Sequence, residues 1–208
     1  LMLVSNLALK AGKLKVTTDQ VALEEFVTLV HNTAKHSINI IEDLLKKEHS
    51  ESPGIHVKFS RTDVVKICNY VFDELQKTNG TRTMIFETSA PAIYVPTDDM
   101  KLLQVVNNFA SNAMKFTRHG DEIRMSVRET STSVIIAVSD TGIGIPEQLH
   151  PFVFEKHGPA RRTGLAGEKS IGLGLSICMN LTNLMGGRIW FESKEGKGTT
   201  FYVELPKD

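Results

Sequence analysis

Asn108, Asn112 and Lys115 follow one another at spacings of four and three in the segment KLLQVVNNFASNAMKFT, residues 101–117. On a helix, at about 100° per residue, they cluster within roughly 40–60° along one stripe. Two amide oxygens and an ammonium on one stripe suit a metal–phosphate site. Mg²⁺ takes hard oxygen ligands and shares them with substrate phosphates, and lysine adds a compact positive charge. Taken alone, the three read more readily as solvated polar residues, since two Asn at this spacing are common. A second candidate lies in VIIAVSDTGIGIP, residues 134–146, where a largely apolar run delivers Asp140 to its end and Gly142 and Gly144 follow. A carboxylate there can accept a hydrogen bond from an exocyclic amine such as that of adenine, and the glycines let backbone approach a flat ring. The bland alternative is a strand with a glycine turn. In GEKSIGLGLSI, Gly172 and Gly174 stand where a helix begins, so free N–H groups and the helix dipole are available to an anion. Finally, Gly196–Thr200 precedes an apolar run. There Thr199 could complete a base pocket, or the segment could be a plain hairpin turn.

These segments need elements to hold them. Residues 57–59, 83–86, 92–95, 123–127, 134–138, 189–191 and 201–203 read as strands, and helices fit 62–77, 99–116 and 173–185, the last closed by Gly186-Gly187. On the helix over 99–116, Leu102, Val105, Val106, Phe109, Ala113 and Phe116 form the expected core face. Residues 157–171, HGPARRTGLAGEKSI, are glycine-rich, charged and aperiodic, the pattern of a mobile loop. The texture from Gly54 onward is therefore α+β.

The first fifty residues carry no strand signal and read as a helical hairpin. A short helix covers about 1–11 and stops at Gly12; Thr17-Thr18-Asp19-Gln20 then supplies a capping box for a long helix to about Lys47. Leu23, Val27, Val30, Ala34, Ser37, Ile41 and Leu44 alternate at spacings of four and three, a heptad seam that calls for a partner helix. The long helix would run roughly 45 Å and the short one under half of that, so further chain or a second protomer must cover the rest. The expected division is 1–53 for the hairpin and 54–208 for the α+β domain.

Together and in this order, the strings NNFASNAMKFT, DTGIGIP, GLGLSI and GKGTTFYVELP resemble the nucleotide-binding boxes of the GHKL ATPases, and among them the histidine kinases most closely. The likeness spans about residues 55–208. It implies a two-layer α/β sandwich of the Bergerat type, a mixed sheet packed on helices, which binds ATP beneath a flexible lid. By position, Asp140 would recognise adenine within a loop that includes Gly142, Gly144 and Ile145. Asn112 would hold Mg²⁺ with Asn108 beside it, and Lys115 would meet the phosphates. Gly172, Leu173, Gly174 and Leu175 would line them, and Thr199 would support the base. Two departures stand out. His157 follows Phe152 and Phe154 where a second aromatic is usual, and Gly158-Pro159-Ala160 separates it from Arg161 and Arg162, which leaves the lid cation unassigned.

The resemblance also implies a homodimer through the hairpin, and transfer of phosphate to a histidine and onward to a response-regulator receiver domain. His31 is the tempting acceptor, with His36 nearby, but Asn32 follows it and no proline comes before Pro53. The segment instead resembles the second dimerisation helix, which would leave the acceptor outside this chain. Composition suits a soluble piece in a reducing compartment, expected to be cytoplasmic, and the apolar opening Leu1-Met2-Leu3-Val4 reads as the inside of a larger protein. Twenty-four basic residues balance 24 acidic ones, so nothing points to nucleic acid or a membrane surface. The longest apolar runs fall far short of the ~20 residues that span a bilayer. Cys68 and Cys178 show no metal-ligand spacing and read as core thiols.

Overall fold

The computed structural model describes residues 56–77, 80–167 and 172–207. The hairpin, its heptad seam, His31 and His36 lie outside these residues, as do residues 168–171 of the loop expected at 157–171. The chain divides after Ile55, and the unit described is His56–Asp208.

Alternation sets the sheet. Strands β2 (Thr83–Thr88), β4 (Glu122–Glu129), β5 (Ser133–Asp140), β6 (Arg188–Lys194) and β7 (Gly198–Pro206) lie in the order β2-β4-β5-β7-β6. The β2–β4 pair is parallel and the other pairs are antiparallel. Every second residue turns inward, giving a buried face of Ile123, Met125, Val127, Val134, Ile136, Val138, Phe201, Val203 and Leu205. Against it pack α1 (Val64–Gln76), α2 (Asp99–Phe116) and α3 (Gly174–Leu184). This is a two-layer α/β sandwich. Phe109 of α2 stacks on Phe201 of β7 with ring centroids 5.3 Å apart. Cys68 and Cys178 are free and buried, and burial pushes both thiols up, as core residues require.

A separate two-stranded ribbon joins β1 (Ser60–Asp63) antiparallel to β3 (Tyr94–Thr97). The strand expected at 57–59 is therefore displaced. Lys58 N–H donates to the Asp98 carboxylate at 3.0 Å instead of to a ladder, and Phe59 is 54% exposed. The helix expected from 62 begins at Val64, because Asp63 acts as its N-cap and accepts from Val65 N–H and Lys66 N–H. Asp98 caps α2 in the same way, accepting from Lys101 N–H at 3.1 Å and pairing with the Lys101 ammonium at 3.2 Å. Burial works against the Asp98 charge, but the Lys58 and Lys101 donors outweigh it and hold the carboxyl below its ordinary value. With its start fixed and its apolar stripe seated on the sheet, α2 has little freedom in where its polar stripe points.

Candidate functional site

The last turn of α2 is the floor of the site. Phe116 ends the helix, and its freed carbonyl accepts from Ile143 N–H at 3.1 Å. That bond brings the glycine loop after β5 against the end of the helix. Gly142 lies so close that a Cβ there would stand 2.0 Å from the Phe116 carbonyl oxygen. Gly144, at φ +65°, leaves similar room only for hydrogen, since a Cβ would lie 2.1 Å from the Lys194 carbonyl oxygen. Ile145, buried, donates its N–H to Ser193 Oγ at 2.8 Å, and Gly196 N–H reaches Ile143 O at 2.8 Å. The loop is thus clamped between α2 and the β6–β7 hairpin.

Asp140 sits at the inner end of this clamp, 7% exposed. Its carboxylate accepts from Gly142 N–H at 2.9 Å and from Thr199 N–H, the residue opposite it on β7. Burial pushes the carboxyl up to about 6, against the two N–H donors and Arg162, which favour the charge, while Asp121 opposes it. A carboxylate kept dry and held by backbone donors can accept from a ligand amine in a low-dielectric setting, where such a bond is worth more than in water. Thr199, also buried, exchanges a hydrogen bond with Ser193 Oγ at 2.9 Å, which fixes its hydroxyl beside the glycine loop.

The polar stripe of α2 meets the start of α3. Gly174 faces Asn108 so closely that a Cβ would lie 2.3 Å from Oδ1. Asn112 is one turn further along the same stripe, half-buried like Lys115. Leu173 leads α3 with no side-chain cap, which leaves the first N–H groups unclaimed by a side chain, while Leu175 packs against the core. Gly172, at φ +77°, accepts from His157 N–H at 3.1 Å; His157 is itself left-handed at φ 53°. Among the sequence candidates the structure packs Asn108 against Gly174, the end of α2 against Gly142, and Asp140 against Thr199, while Asn112 and Lys115 follow Asn108 along α2.

Three participants were not assigned from sequence. Ser193 is the hub of the hairpin, bonding Ile145, Gly198 and Thr199. It falls on the inward alternation of β6 with Ile189 and Phe191, the signal that could have found it. Phe116, expected in the core, is half-buried. As the final residue of α2 it turns its ring toward the cleft, under the Arg162 guanidinium at 4.9 Å. Arg162 also donates to Gly144 O at 2.8 Å. Ahead of it, the 3₁₀ turn Glu147–Phe152, with Pro151 inside, carries Val153 into the core and sets Phe154 edge-on to Phe191.

Comparison with known proteins adds to this geometry. Residues 97–208 match the family described as histidine kinase-, DNA gyrase B- and HSP90-like ATPases. The adaptive-response sensory kinase SasA of Microcystis aeruginosa is 30% identical over 184 residues, which cover 85% of this chain and 47% of that protein. The sensor histidine kinase WalK of Bacillus subtilis is 30% identical over 187 residues, 87% of this chain and 30% of that one. The chain therefore spans about half the length of such relatives, or less. Among solved structures, the catalytic domain of histidine kinase ThkA superposes with a TM-score of 0.59 at 29% identity, covering 72% of this chain and 96% of that one.

Proposed function

This chain belongs to the histidine kinase-, DNA gyrase B- and HSP90-like ATPase family, and on that premise we propose that it is the catalytic part of a sensor histidine kinase. Residues 54–208 form the ATP-binding domain and residues 1–53 a partial dimerisation hairpin, the whole acting as a cytoplasmic homodimer. The observation that carries the reading is the buried carboxylate of Asp140, held by Gly142 and Thr199 beside the half-buried ring that ends α2. The ligand we assign to it is an adenine, whose exocyclic amine donates to Asp140 and whose flat face lies against the glycine loop once Arg162 has moved aside.

The triphosphate then runs along the stripe of α2 toward α3. Lys115 supplies positive charge, and the leading N–H groups of α3, approached through Gly172 and Gly174, meet the phosphate oxygens. Among the described residues no group of three or more His, Cys, Asp or Glu is arranged to hold a metal. Amide oxygens and the nucleotide are the donors we assign to an ion here. Asn108 and Asn112 carry oxygens of that kind, and Oδ1 of Asn108 packs closely against Gly174 at the start of α3. Mg²⁺, when bound, neutralises phosphate charge. Asn112 holds it with Asn108 adjacent, and the fold contributes alignment and charge, which phosphoryl transfer chiefly demands.

In the intact protein the γ-phosphate passes to a histidine on the first dimerisation helix and then to an aspartate of a response regulator. The test is incubation of the chain with ATP labelled on the γ-phosphate and Mg²⁺, with binding measured in the same sample. Nucleotide bound and no acid-labile label is the expected result, a competent ATP site without its own acceptor. Label that disappears with His31→Gln places the acceptor in this chain. No binding of ATP overturns the proposal, and steady hydrolysis with no transfer to a supplied acceptor helix replaces it with a plain ATPase.

A further inference from the structure

Beyond the nucleotide reading, on which it rests, we propose that the Arg162 guanidinium occupies the seat of the base when the site is empty, so that a nucleotide must displace it in order to bind. Two contacts and the pull of two carboxylates place it there. Its Cζ lies 4.9 Å over the Phe116 ring, and Nη1 donates to Gly144 O at 2.8 Å. Asp140 and Glu195 both attract its charge. These are the surfaces a purine would use: an aromatic face, a backbone acceptor on the glycine loop and a buried carboxylate. A guanidinium is flat and edged with N–H donors, so it resembles the amine edge of adenine in both shape and hydrogen-bonding sense.

Spacing decides between competition and a sandwich. Each stacked contact needs about 3.5 Å, so a base between two flat groups needs roughly 7 Å. The separation of 4.9 Å leaves no room. Arg162 must retreat, and its bond to Gly144 must break, before a base can lie on Phe116. The stretch that carries the arginine is tied down on both sides, by His157 N–H to Gly172 O at 3.1 Å and by Leu165 N–H to Lys115 O at 2.9 Å. Its position is therefore a property of the fold around the cleft. Arg161 faces the other way: its Cδ lies 3.3 Å from where a Cβ on Gly172 would stand, at the end of the site that lines phosphate. The two adjacent arginines point apart, Arg161 toward the end proposed for the phosphates and Arg162 into the seat proposed for the base.

The experiment compares the full chain with Arg162→Ala and Arg162→Lys, titrating adenosine, which has a base and no phosphate, and tripolyphosphate with Mg²⁺. Removing one ring contact and one hydrogen bond should tighten adenosine binding about three- to tenfold in Arg162→Ala. Arg162→Lys, which keeps the charge and loses the flat fork, should fall between the two. Tripolyphosphate binding should change less than about twofold in either variant, which also shows that the fold is intact. Adenosine affinity that is unchanged or weaker in Arg162→Ala, while the wild type binds adenosine, overturns the role of the arginine and leaves the base pocket standing. Failure of adenosine and ATP to bind either protein overturns the base-pocket reading itself. Loss of tripolyphosphate binding with adenosine unaffected reassigns Arg162 to the phosphates.

Discussion

Asp140→Asn should make the protein more stable at pH 8 and less able to bind adenosine. The carboxyl is 7% exposed, and burial raises it from an ordinary value of 3.8 to about 6. At roughly 1.4 kcal/mol per pH unit, holding that group charged costs the folded state about 3 kcal/mol once the solution is well above pH 6. The sign follows from the direction of the shift. The neutral carboxyl contributes stability that is fully present below the unfolded value near 3.8 and is lost as pH rises through about 6. An asparagine keeps an oxygen for the Gly142 and Thr199 N–H groups and carries no charge, so it recovers part of that loss, on the order of 2–3 kcal/mol at pH 8. The assay is urea unfolding of both proteins at pH 8, 6 and 4.5, with a stability gap that narrows as pH falls. Adenosine affinity should drop roughly tenfold or more in the variant, the worth of a hydrogen bond to a charged acceptor. A variant no more stable at pH 8, or a gap that does not narrow toward pH 4.5, would refute the account of Asp140 as a charge held at a cost.

Gly174→Ala places a methyl group 2.3 Å from Asn108 Oδ1, the movable end of a side chain. The amide should swing aside with little loss of stability, and Mg-ATP affinity should fall about tenfold while adenosine binding holds, read by calorimetry. Asn112→Ala should abolish the difference in ATP affinity with and without Mg²⁺; a variant still strengthened by Mg²⁺ places the ion elsewhere. Ser193→Ala leaves Ile145 N–H and Thr199 Oγ short of a partner. Denaturant unfolding should show a loss of about 1–3 kcal/mol, with weaker adenosine binding besides, and an unaltered midpoint would remove Ser193 from the hub.

Local signals carried well where a periodic face and a cap coincide. The apolar stripe of residues 99–116 predicts the bounds that α2 has in the structure, Asp99–Phe116, because Asp98 stops the helix at one end and the β5 loop takes its last carbonyl at the other. The placement of Asn108, Asn112 and Lys115 along one polar stripe follows from that helix alone. What did not carry is what depends on partners distant in sequence. Ser60–Asp63 becomes a strand by pairing with Tyr94–Thr97, and no local pattern separates it from the 57–59 run beside it. Phe116 reads as core by periodicity, but the helix ends beneath it, and the ring stands on the rim. The reach of Arg162 to Gly144 crosses eighteen residues of aperiodic chain, where periodicity has nothing to offer.

β7 follows β6 in the chain yet lies inside the sheet, between β5 and β6. Until it inserts, β5 has an open edge and Asp140 has neither the Thr199 N–H nor the close backing of Gly198, whose missing side chain lets the Asp140 carbonyl approach. The seat proposed for the base is therefore complete only with β7 in the centre of the sheet, and it depends on contacts between residues some sixty positions apart, the slow kind to form. Ligand can thus stabilise only the finished sheet, and nucleotide present during folding acts by mass action on the completed state without guiding the chain toward it.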